Sequence, residues 1–271
     1  MTGPAISAGE TPVVEIRRDG PVWTIKLNRP EKRNAINPQL QGELVSALQE
    51  FHTASEARVA VLTGSDPAFC AGMDLHELGS GAMGYGNGAT NYAEAMRAVS
   101  KPVIGAVNGA AIAGGFELAL ACDFMIASER AWFADSHAEV GVVPGGGLTV
   151  NLAQAVGVRR ARQISLSGEY VSPERAFHDR LVTEVLPHEQ LLSRAREIAI
   201  AMAGQGEHMI AAIRAAYDRT LNLPAQEALD AEVAASRAAG IPAGHVHQVT
   251  EGLIARGSTD ATSRRRDQSK W

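Results

Sequence analysis

Apolar and polar positions along the chain predict strands first and then an amphipathic helix. Two β-rich runs, 13–18 and 22–27, flank Asp19-Gly20-Pro21, which is typical of a short hairpin turn. Asn37-Pro38 has the form of a helix N-cap followed by proline at the first helical position. Leucines at helical spacing then predict an amphipathic helix over about 38–52.

The following segments predict an α/β layer. Further short, buried strands are expected at 59–63, 103–107, 123–127, 132–134 and 182–185. Helices are expected to open near Gly72 and near Gly114, each after a loop of small residues. Strands that alternate with helices are typical of parallel pairing, so the fold class is α/β with a mostly parallel sheet.

Beyond about residue 187 the chain becomes alanine-rich and helical. The predicted helical stretches are 190–203, 205–222, 224–239 and 245–256. These helices either fold back on the α/β core or cover a neighbouring subunit, and we favour oligomerisation because they are thin for a core of their own. The predicted organisation is a core over 13–187, a helical oligomerisation region over 188–257 and a basic, solvated tail over 258–271.

Composition and charge exclude several classes of protein. The 271 residues are 45% hydrophobic and 20% charged, which is the balance of a globular protein. A net charge of −5 argues against a nucleic-acid partner, and no apolar run approaches the ~20 residues that span a membrane. The N-terminal segment lacks the features of an export signal, so a cytoplasmic protein is expected.

The chain carries few residues for disulfides or metals. Cys70 and Cys122 cannot build a disulfide framework, and we expect both to be small buried fillers. The eight histidines are scattered, and His245-Val-His247 alone is too little for a ligand set. No metal site is therefore expected.

Residues 79–91 contain five glycines and no apolar periodicity, which suits either a lid beside a site or a tolerated surface insertion. Gly79, Gly81 and Gly84 match the spacing of a dinucleotide-binding loop. Such a loop must follow a strand and open a helix, whereas this one follows a helical segment. We therefore interpret the match as fortuitous.

Two strand-to-helix joints, residues 69–75 and 108–117, carry the first chemical signal. The first N–H groups of a helix have no partner within it, and small side chains let a substrate oxygen approach them. Two such joints side by side would form an oxyanion hole for a developing negative charge. The other interpretation is that Gly114-Gly115 only allows a helix to pack tightly on a strand, and the residues alone leave both open.

Glu117 lies three residues after Gly114, on the same helical face and inside an apolar run. A carboxylate buried in such surroundings is costly unless it is paired or functional. Glu117 is therefore a candidate general acid or base beside the oxyanion hole, and the alternative is a structural ion pair with a basic residue.

An ordered series of motifs resembles the enoyl-CoA hydratase/isomerase (crotonase) family over about residues 20–185. The matching segments are Asn28-Arg29-Pro30, Asn34-Ala35-Ile36, residues 69–75, 101–110 and 114–119, Cys122-Asp123, residues 141–145 and Leu166-Ser167-Gly168. The resemblance implies a crotonase spiral of repeated β-β-α units and a helical C-terminal region that forms a trimer or a dimer of trimers. It also implies acyl-CoA substrates and no cofactor beyond the coenzyme A that the substrate carries.

The resemblance further implies roles for single residues. Met73 and Gly114 match the positions whose backbone amides hold the thioester oxygen, and Glu117 matches the first of two catalytic glutamates. Gly145 matches a position whose backbone contacts the reacting water. The positions that match the lining of the coenzyme A groove are Arg33, Ala35, Ala71, Asp74 and Leu75.

One position departs from the pattern of the hydratases, because His137 stands where they carry the second catalytic glutamate, eight residues before Gly145. Asp135 and Glu139 share the face of His137 if this segment is extended, and diverge from it if the segment is helical. Histidine is able to move a proton near neutral pH, so His137 or a shifted carboxylate could replace the glutamate. His137 could also be a hydrogen-bonded structural histidine.

The favoured hypothesis is an enoyl-CoA hydratase whose catalytic set is Glu117, Met73, Gly114 and His137. The alternatives are a double-bond isomerase or specialised acyl-CoA lyase and, from a different class, a non-catalytic acyl-CoA-binding protein. A serine hydrolase is disfavoured because no G-x-S-x-G elbow is present.

Overall fold

The computed structural model describes residues 12–79, 92–221 and 223–240 of the chain. The chain divides into two compact units, residues 1–211 and 212–271. Most of the glycine-rich segment 79–91, the predicted helix 245–256 and the predicted basic tail 258–271 lie outside the described residues.

Strands and helices follow one another through the first unit. The strands are β1 (Val14–Asp19), β2 (Val22–Leu27), β3 (Val59–Gly64), β4 (Ala68–Cys70), β5 (Val103–Val107), β6 (Ala110–Ile112), β7 (Phe124–Ser128), β8 (Trp132–Ala134) and β9 (Val185–Leu186). The helices up to its end are α1 (Pro38–Thr53), α2 (Leu75–Gly79), α3 (Tyr92–Ala98), α4 (Gly114–Leu120), α5 (His137–Val140), α6 (Leu148–Val156), α7 (Val158–Ser167), α8 (Pro173–His178) and α9 (Leu191–Ala203). Helix α10 (Glu207–Thr220) crosses the boundary between the units, and α11 (Ala225–Ala239) lies in the second.

Two sheets organise the first unit. The larger sheet has the strand order β1-β2-β3-β5-β7-β9, and the smaller one has the order β4-β6-β8. β1 and β2 form an antiparallel hairpin, and each of the other pairings between these strands is parallel. Every residue of β3 and β5 is buried, as expected for parallel strands covered on both faces. The predicted α/β class is therefore confirmed.

Helix α1 forms where the pattern of apolar residues predicts it. The side chain of Asn37 accepts a hydrogen bond of 2.8 Å from the amide of Leu40, and Pro38 occupies the first turn. The apolar face is buried, and its last aromatic ring, Phe51, lies 5.9 Å from the ring of Trp23 on β2. This packing joins the hairpin to the helical layer.

The first joint differs from the prediction, because α2 begins at Leu75 and not near Gly72. Met73 pairs with Ile36 in a parallel bridge, which keeps the chain extended for one residue more. Asp74 then ends the extended segment, since its Oδ1 accepts a hydrogen bond of 3.1 Å from the amide of His76 in the first turn of α2.

The strand predicted at 182–185 forms only at Val185–Leu186. Leu181 and Val182 both donate backbone hydrogen bonds to the carbonyl of Ala176, so this part of the predicted strand belongs to the turn after α8. The helices predicted at 190–203, 205–222 and 224–239 correspond to α9, α10 and α11.

Helix α9 covers the larger sheet of the first unit. Leu191, Ala195 and Ala199 are buried and form one apolar cluster with residues of β2, β3, β5 and β7. The first predicted C-terminal helix therefore contributes to the core of the first unit. Helix α11 has no buried residue among those described, and its proposed part in oligomerisation stays a prediction. No helix of the described ranges is long and apolar enough to cross a membrane.

Candidate active site

The two strand-to-helix joints meet. Gly72 has a φ of +89°, and a Cβ atom built on it would lie 3.3 Å from the amide nitrogen of Gly114 and 2.8 Å from the carbonyl oxygen of Ile112. The first joint thus approaches the second through a glycine that has no room for a side chain. The amides of Met73 and Gly114 find no acceptor among the described residues, so both are available to a ligand.

The two glycines that open α4 have different surroundings. A Cβ on Gly115 would overlap the carbonyl oxygen of Cys70 and lie 2.8 Å from its Cβ atom, so Gly115 permits α4 to pack on β4. A Cβ on Gly114 would lie 3.1 Å from the hydroxyl of Tyr92 and 3.6 Å from Cγ of Met73. The two interpretations of this glycine pair therefore apply to different residues: Gly115 packs, and Gly114 faces the site.

A cavity of about 330 Å³ opens beside these joints. Its lining residues are Ala71, Met73, Leu75, Ala113, Gly114, Ser136, His137, Glu139, Val140 and Val142. Small and apolar groups make up most of this wall, and polar groups come mainly from the segment 136–139. Such a wall suits an acyl chain that reaches a polar reaction centre.

Glu117 lies behind the wall, with its side chain only 2% exposed. Its Oε1 accepts a hydrogen bond of 2.6 Å from the amide of Gly146, and its Oε2 accepts one of 3.1 Å from the hydroxyl of Tyr92. The same hydroxyl lies 3.2 Å from the carbonyl oxygen of Gly114, at the start of α4. The two hydrogen bonds therefore hold the carboxyl group in one orientation, and the Tyr92 hydroxyl connects it to the start of α4.

His137 connects Glu117 to a second buried acid. Its Nε2 lies 3.9 Å from Oε2 of Glu117, and its Nδ1 lies 2.6 Å from Oδ1 of Asp135. The backbone amide of His137 also donates to Oδ1 of Asp135, over 3.1 Å. Burial raises the pKa of the Asp135 carboxyl, but hydrogen bonds from His137 and Ser165 outweigh it and hold that pKa below its usual range.

Asp135, His137 and Glu139 occupy different positions relative to Glu117. Asp135 follows β8 directly, and α5 begins at His137, so the segment is extended at one end and helical at the other. His137 lies nearest to Glu117, Asp135 supports it from the far side of the ring, and Glu139 is exposed at the cavity wall. Of the three groups considered for the second proton, the imidazole is the one that faces Glu117.

Among the residues matched to the coenzyme A groove, Ala71 and Leu75 line the cavity. Arg33 is exposed, with a left-handed backbone (φ 51°), and its carbonyl accepts a hydrogen bond of 3.0 Å from the amide of Ala71. Ala35 is buried next to it. The carbonyl of Ala35 accepts a hydrogen bond of 3.1 Å from the guanidinium of Arg29.

Asp74 and Gly145 are not among the residues that line the cavity, and their matched roles stay predictions. The Asp74 carboxylate is paired at 2.7 Å with Arg29, and this hydrogen-bonded guanidinium, which outweighs the effect of burial, holds the pKa of Asp74 below its usual value. Gly145 is exposed, and the amide that reaches Glu117 belongs to the next residue, Gly146.

Sequence reasoning did not single out Arg29, Tyr92 or Gly146 as site residues. Arg29 was part of a recognised motif, which is the signal that could have found it. Tyr92 and Gly146 are 25 and 29 residues away from Glu117 in the chain, and no local pattern marks them.

The remaining chemical groups near the joints are inert. Cys70 and Cys122 are buried, as predicted, and burial raises the pKa of the Cys70 thiol to about 12. Within the described ranges, no group of three or more histidine, cysteine, aspartate or glutamate side chains could hold a metal ion.

Known proteins resemble this chain over most of its length. A family model described as enoyl-CoA hydratase/isomerase matches residues 17–255. A probable peroxisomal enoyl-CoA hydratase of Arabidopsis thaliana is 31% identical over 93% of this chain and 97% of its own. The crystal structure of an enoyl-CoA hydratase from Mycobacterium tuberculosis H37Rv is 43% identical, with a TM-score of 0.71 over 82% of this chain and 97% of its own. A monofunctional enoyl-CoA isomerase from M. smegmatis is 32% identical, with a TM-score of 0.70 over 80% of this chain and 98% of its own.

Proposed function

Because the chain belongs to the enoyl-CoA hydratase/isomerase (crotonase) family, we propose that it adds water to a 2-enoyl-CoA and forms the 3-hydroxyacyl-CoA. One observation carries this proposal beyond family membership. The amides of Met73 and Gly114, which find no acceptor in the described part of the chain, lie near a buried carboxyl group, that of Glu117, whose Oε2 is 3.9 Å from the imidazole of His137.

The two amides supply the electrophilic part of the reaction. The thioester oxygen accepts hydrogen bonds from Met73 N–H and Gly114 N–H, which polarises the conjugated double bond. When water attacks Cβ, the negative charge moves to this oxygen, where the fixed donors stabilise it. The loss of one such donor typically costs about 10²–10³ in rate.

Glu117 and His137 supply the proton transfers. A water oxygen about 2.8 Å from each of two groups that are 3.9 Å apart can contact both at once. The Glu117 carboxylate takes one proton of this water while the oxygen bonds to Cβ, and Cα receives a proton from protonated Nε2 of His137. The proton on Glu117 then returns to His137, which restores both groups for the next turnover.

The cavity determines which acyl groups fit. Leu75, Val140 and Val142 offer apolar contacts to the chain beyond Cβ. We propose that Arg33, Ala35 and Ala71 line the path of coenzyme A, as the family resemblance implies. Asp74 is already paired with Arg29, so its contribution is to hold this wall in place, and Gly145 would contact the water only through its backbone.

Double-bond isomerisation is the second candidate. Isomerisation needs only one base, which moves a proton along the acyl chain. The resemblance leaves this chain with one of the two glutamates and a histidine at the other position, which is compatible with a reaction that uses one base. The similarity to an isomerase from M. smegmatis gives this candidate its support. Both reactions use the same enolate-stabilising amides, so their products separate them.

The test is the replacement Glu117→Gln, assayed with crotonyl-CoA. Glutamine keeps the shape of the side chain but cannot take the proton, so kcat should fall by about 10²–10⁴. Glu129→Gln, which changes an exposed glutamate after β7, is the matched control and should keep the parent rate.

Three outcomes would redirect the proposal. An unchanged rate in folded Glu117→Gln would exclude the mechanism. Exchange of the Cα proton without 3-hydroxyacyl-CoA would point to an isomerase acting on 3-enoyl-CoA. Calorimetric binding of an acyl-CoA without turnover of any enoyl-CoA would point to a binding protein.

Two further expectations accompany the proposed function. We propose a homotrimer or a dimer of trimers that needs no cofactor besides the coenzyme A of its substrate, and light scattering of the full chain measures its assembly. The cytoplasmic location stays a prediction, because two related proteins are named as peroxisomal and mitochondrial.

A further inference from the structure

Asp135 holds His137 at two points. Its Oδ1 lies 2.6 Å from Nδ1 of the imidazole and accepts a hydrogen bond of 3.1 Å from the backbone amide of the same residue. Both side chains are almost completely buried. A contact this short between two buried groups fixes the rotation of the ring and leaves Nε2 as the atom that faces Glu117.

The groups that face this pair come from several elements. Glu117 reaches it from α4, with Tyr92 of α3 bonded to the same carboxylate oxygen. Ser165 of α7 is hydrogen-bonded to Asp135. Glu139 follows on the helix of His137 itself and is exposed at the cavity wall. Among these groups, Glu117 and Asp135 are the buried acids, and the imidazole lies between them.

The contact to Asp135 determines which nitrogen of His137 exchanges its proton. A carboxylate only accepts hydrogen bonds, so Nδ1 keeps its proton whether the ring is neutral or charged. The protonation change then falls on Nε2, which lies 3.9 Å from Oε2 of Glu117. With the other tautomer, Nε2 would already carry a proton and could not take one back from Glu117.

We propose that Asp135 is a positioning residue that makes Nε2 of His137 the proton carrier and stabilises the charged imidazolium during turnover. Its carboxylate supplies the negative charge that the ring needs while it holds the proton destined for Cα. Asp135 touches neither substrate nor water in this scheme and acts through His137 alone. The inference deepens the proposed function and rests on it for the kinetic readout.

The kinetic test compares Asp135→Asn with Asp66→Asn. Asp66 is also bonded to a histidine, His188, at 3.0 Å, but this pair lies away from the cavity lining. With crotonyl-CoA, Asp135→Asn should lower kcat by roughly 10²–10⁴ and change KM by less than about threefold. Asp66→Asn should leave both within about twofold, because it makes the same chemical change at a pair outside the site.

The pH profile distinguishes positioning from general damage. Without the charge of Asp135, the imidazolium loses its proton more readily, so the alkaline limb of the kcat profile should move to lower pH. A purely structural loss would lower the whole profile and leave its limbs in place. In addition, Asp135→Asn should cost nothing further in a His137→Gln background, because both changes remove the same function.

A spectrum of the parent protein tests the inference without any change at Asp135. With 15N-labelled histidine, and with His137→Gln to identify the signal, neutral His137 should carry its proton on Nδ1. A proton on Nε2 would overturn the proposal, as would a kcat profile of folded Asp135→Asn with unmoved limbs or a full additive loss in the double variant. Failure of the proposed function gives a different result: the parent makes no 3-hydroxyacyl-CoA, and the tautomer then decides the inference by itself.

Discussion

The amide of Gly146 donates a hydrogen bond of 2.6 Å to Oε1 of Glu117, and a Cβ atom on Gly146 would lie 2.6 Å from Oε2 of the same carboxylate. One residue therefore both orients the acid and sets the space available to it. The contact links the loop before α6 to the first turns of α4 across 29 residues of chain.

Gly146→Ala should displace the Glu117 carboxylate, since the new methyl group and Oε2 cannot occupy the same space. We expect kcat with crotonyl-CoA to fall by about 10² or more, because the misplaced carboxylate no longer meets the attacking water. Steady-state kinetics of the purified variant measure this. Gly42→Ala is the control: it adds the same methyl group to α1, where no atom lies within 4 Å, and should leave the rate unchanged.

Gly115→Ala should lower the stability of the fold, whereas Gly114→Ala should lower the activity. At Gly115 the new Cβ would overlap the backbone carbonyl oxygen of Cys70 on β4. A backbone atom cannot rotate away, so we expect loss of the folded protein or a destabilisation of several kcal/mol. At Gly114 the nearest atom is the Tyr92 hydroxyl at 3.1 Å, the end of a side chain that can shift, so the variant should fold. It should lose activity, because the new methyl group faces the site. Thermal unfolding and kcat/KM of both variants measure the contrast, and equal stabilities would contradict it.

Tyr92→Phe should lower the activity that depends on Glu117 without removing its carboxyl group. The hydroxyl lies 3.1 Å from Oε2 of Glu117 and 3.2 Å from the carbonyl of Gly114, so its loss frees one side of the carboxylate. We expect roughly a tenfold lower kcat and a loss of about 1 kcal/mol in the free energy of unfolding. Tyr170→Phe, at an exposed tyrosine, should change neither quantity. A parent-like kcat in Tyr92→Phe would show that Gly146 alone orients Glu117.

Local patterns predicted the elements that have a continuous apolar face. The helix at 38–52 was found because its buried residues recur at helical spacing, and the strand at 103–107 because it is a short, continuous apolar run. Helix α7 was missed, since only Ala161 and Ile164 of it are buried and its other face carries arginines. The strands β4 and β6 were missed because they lie within the glycine-containing segments 64–72 and 108–114, whose composition is typical of loops.

The site was predictable where its members lie close in the chain. Gly114 and Glu117 share one helix, and family resemblance drew attention to His137. The residues that hold Glu117 in place were not predictable from the sequence, because Tyr92 and Gly146 approach it only after the chain has folded. The sequence leaves Asp135 open as a replacement for the second glutamate that the resemblance implies, whereas the structure places it behind the imidazole.

Asp179 should contribute stability that disappears in acid. Burial raises the pKa of Asp179, but hydrogen bonds from Arg175 and Arg160 outweigh it and lower the pKa to about 2. The Nε atoms of these arginines lie 2.8 and 2.6 Å from Oδ2, which ties the end of α8 to α7. A carboxyl group whose pKa is lower in the folded state stabilises the fold above its unfolded pKa, near 4, and this contribution is lost as the pH falls towards 2.

Asp179→Asn should therefore cost about 2 kcal/mol in the free energy of unfolding near pH 6, and the difference from the parent should shrink between about pH 4 and pH 2. Urea unfolding at pH 6.5, 4.5, 3.0 and 2.5 measures this difference. The matched control is Asp218→Asn, which changes an exposed carboxylate paired with Arg214 at 3.4 Å and should have little effect at any of these pH values. A deficit of Asp179→Asn that stayed constant down to pH 2.5 would mean that packing, and not charge, explains the role of Asp179.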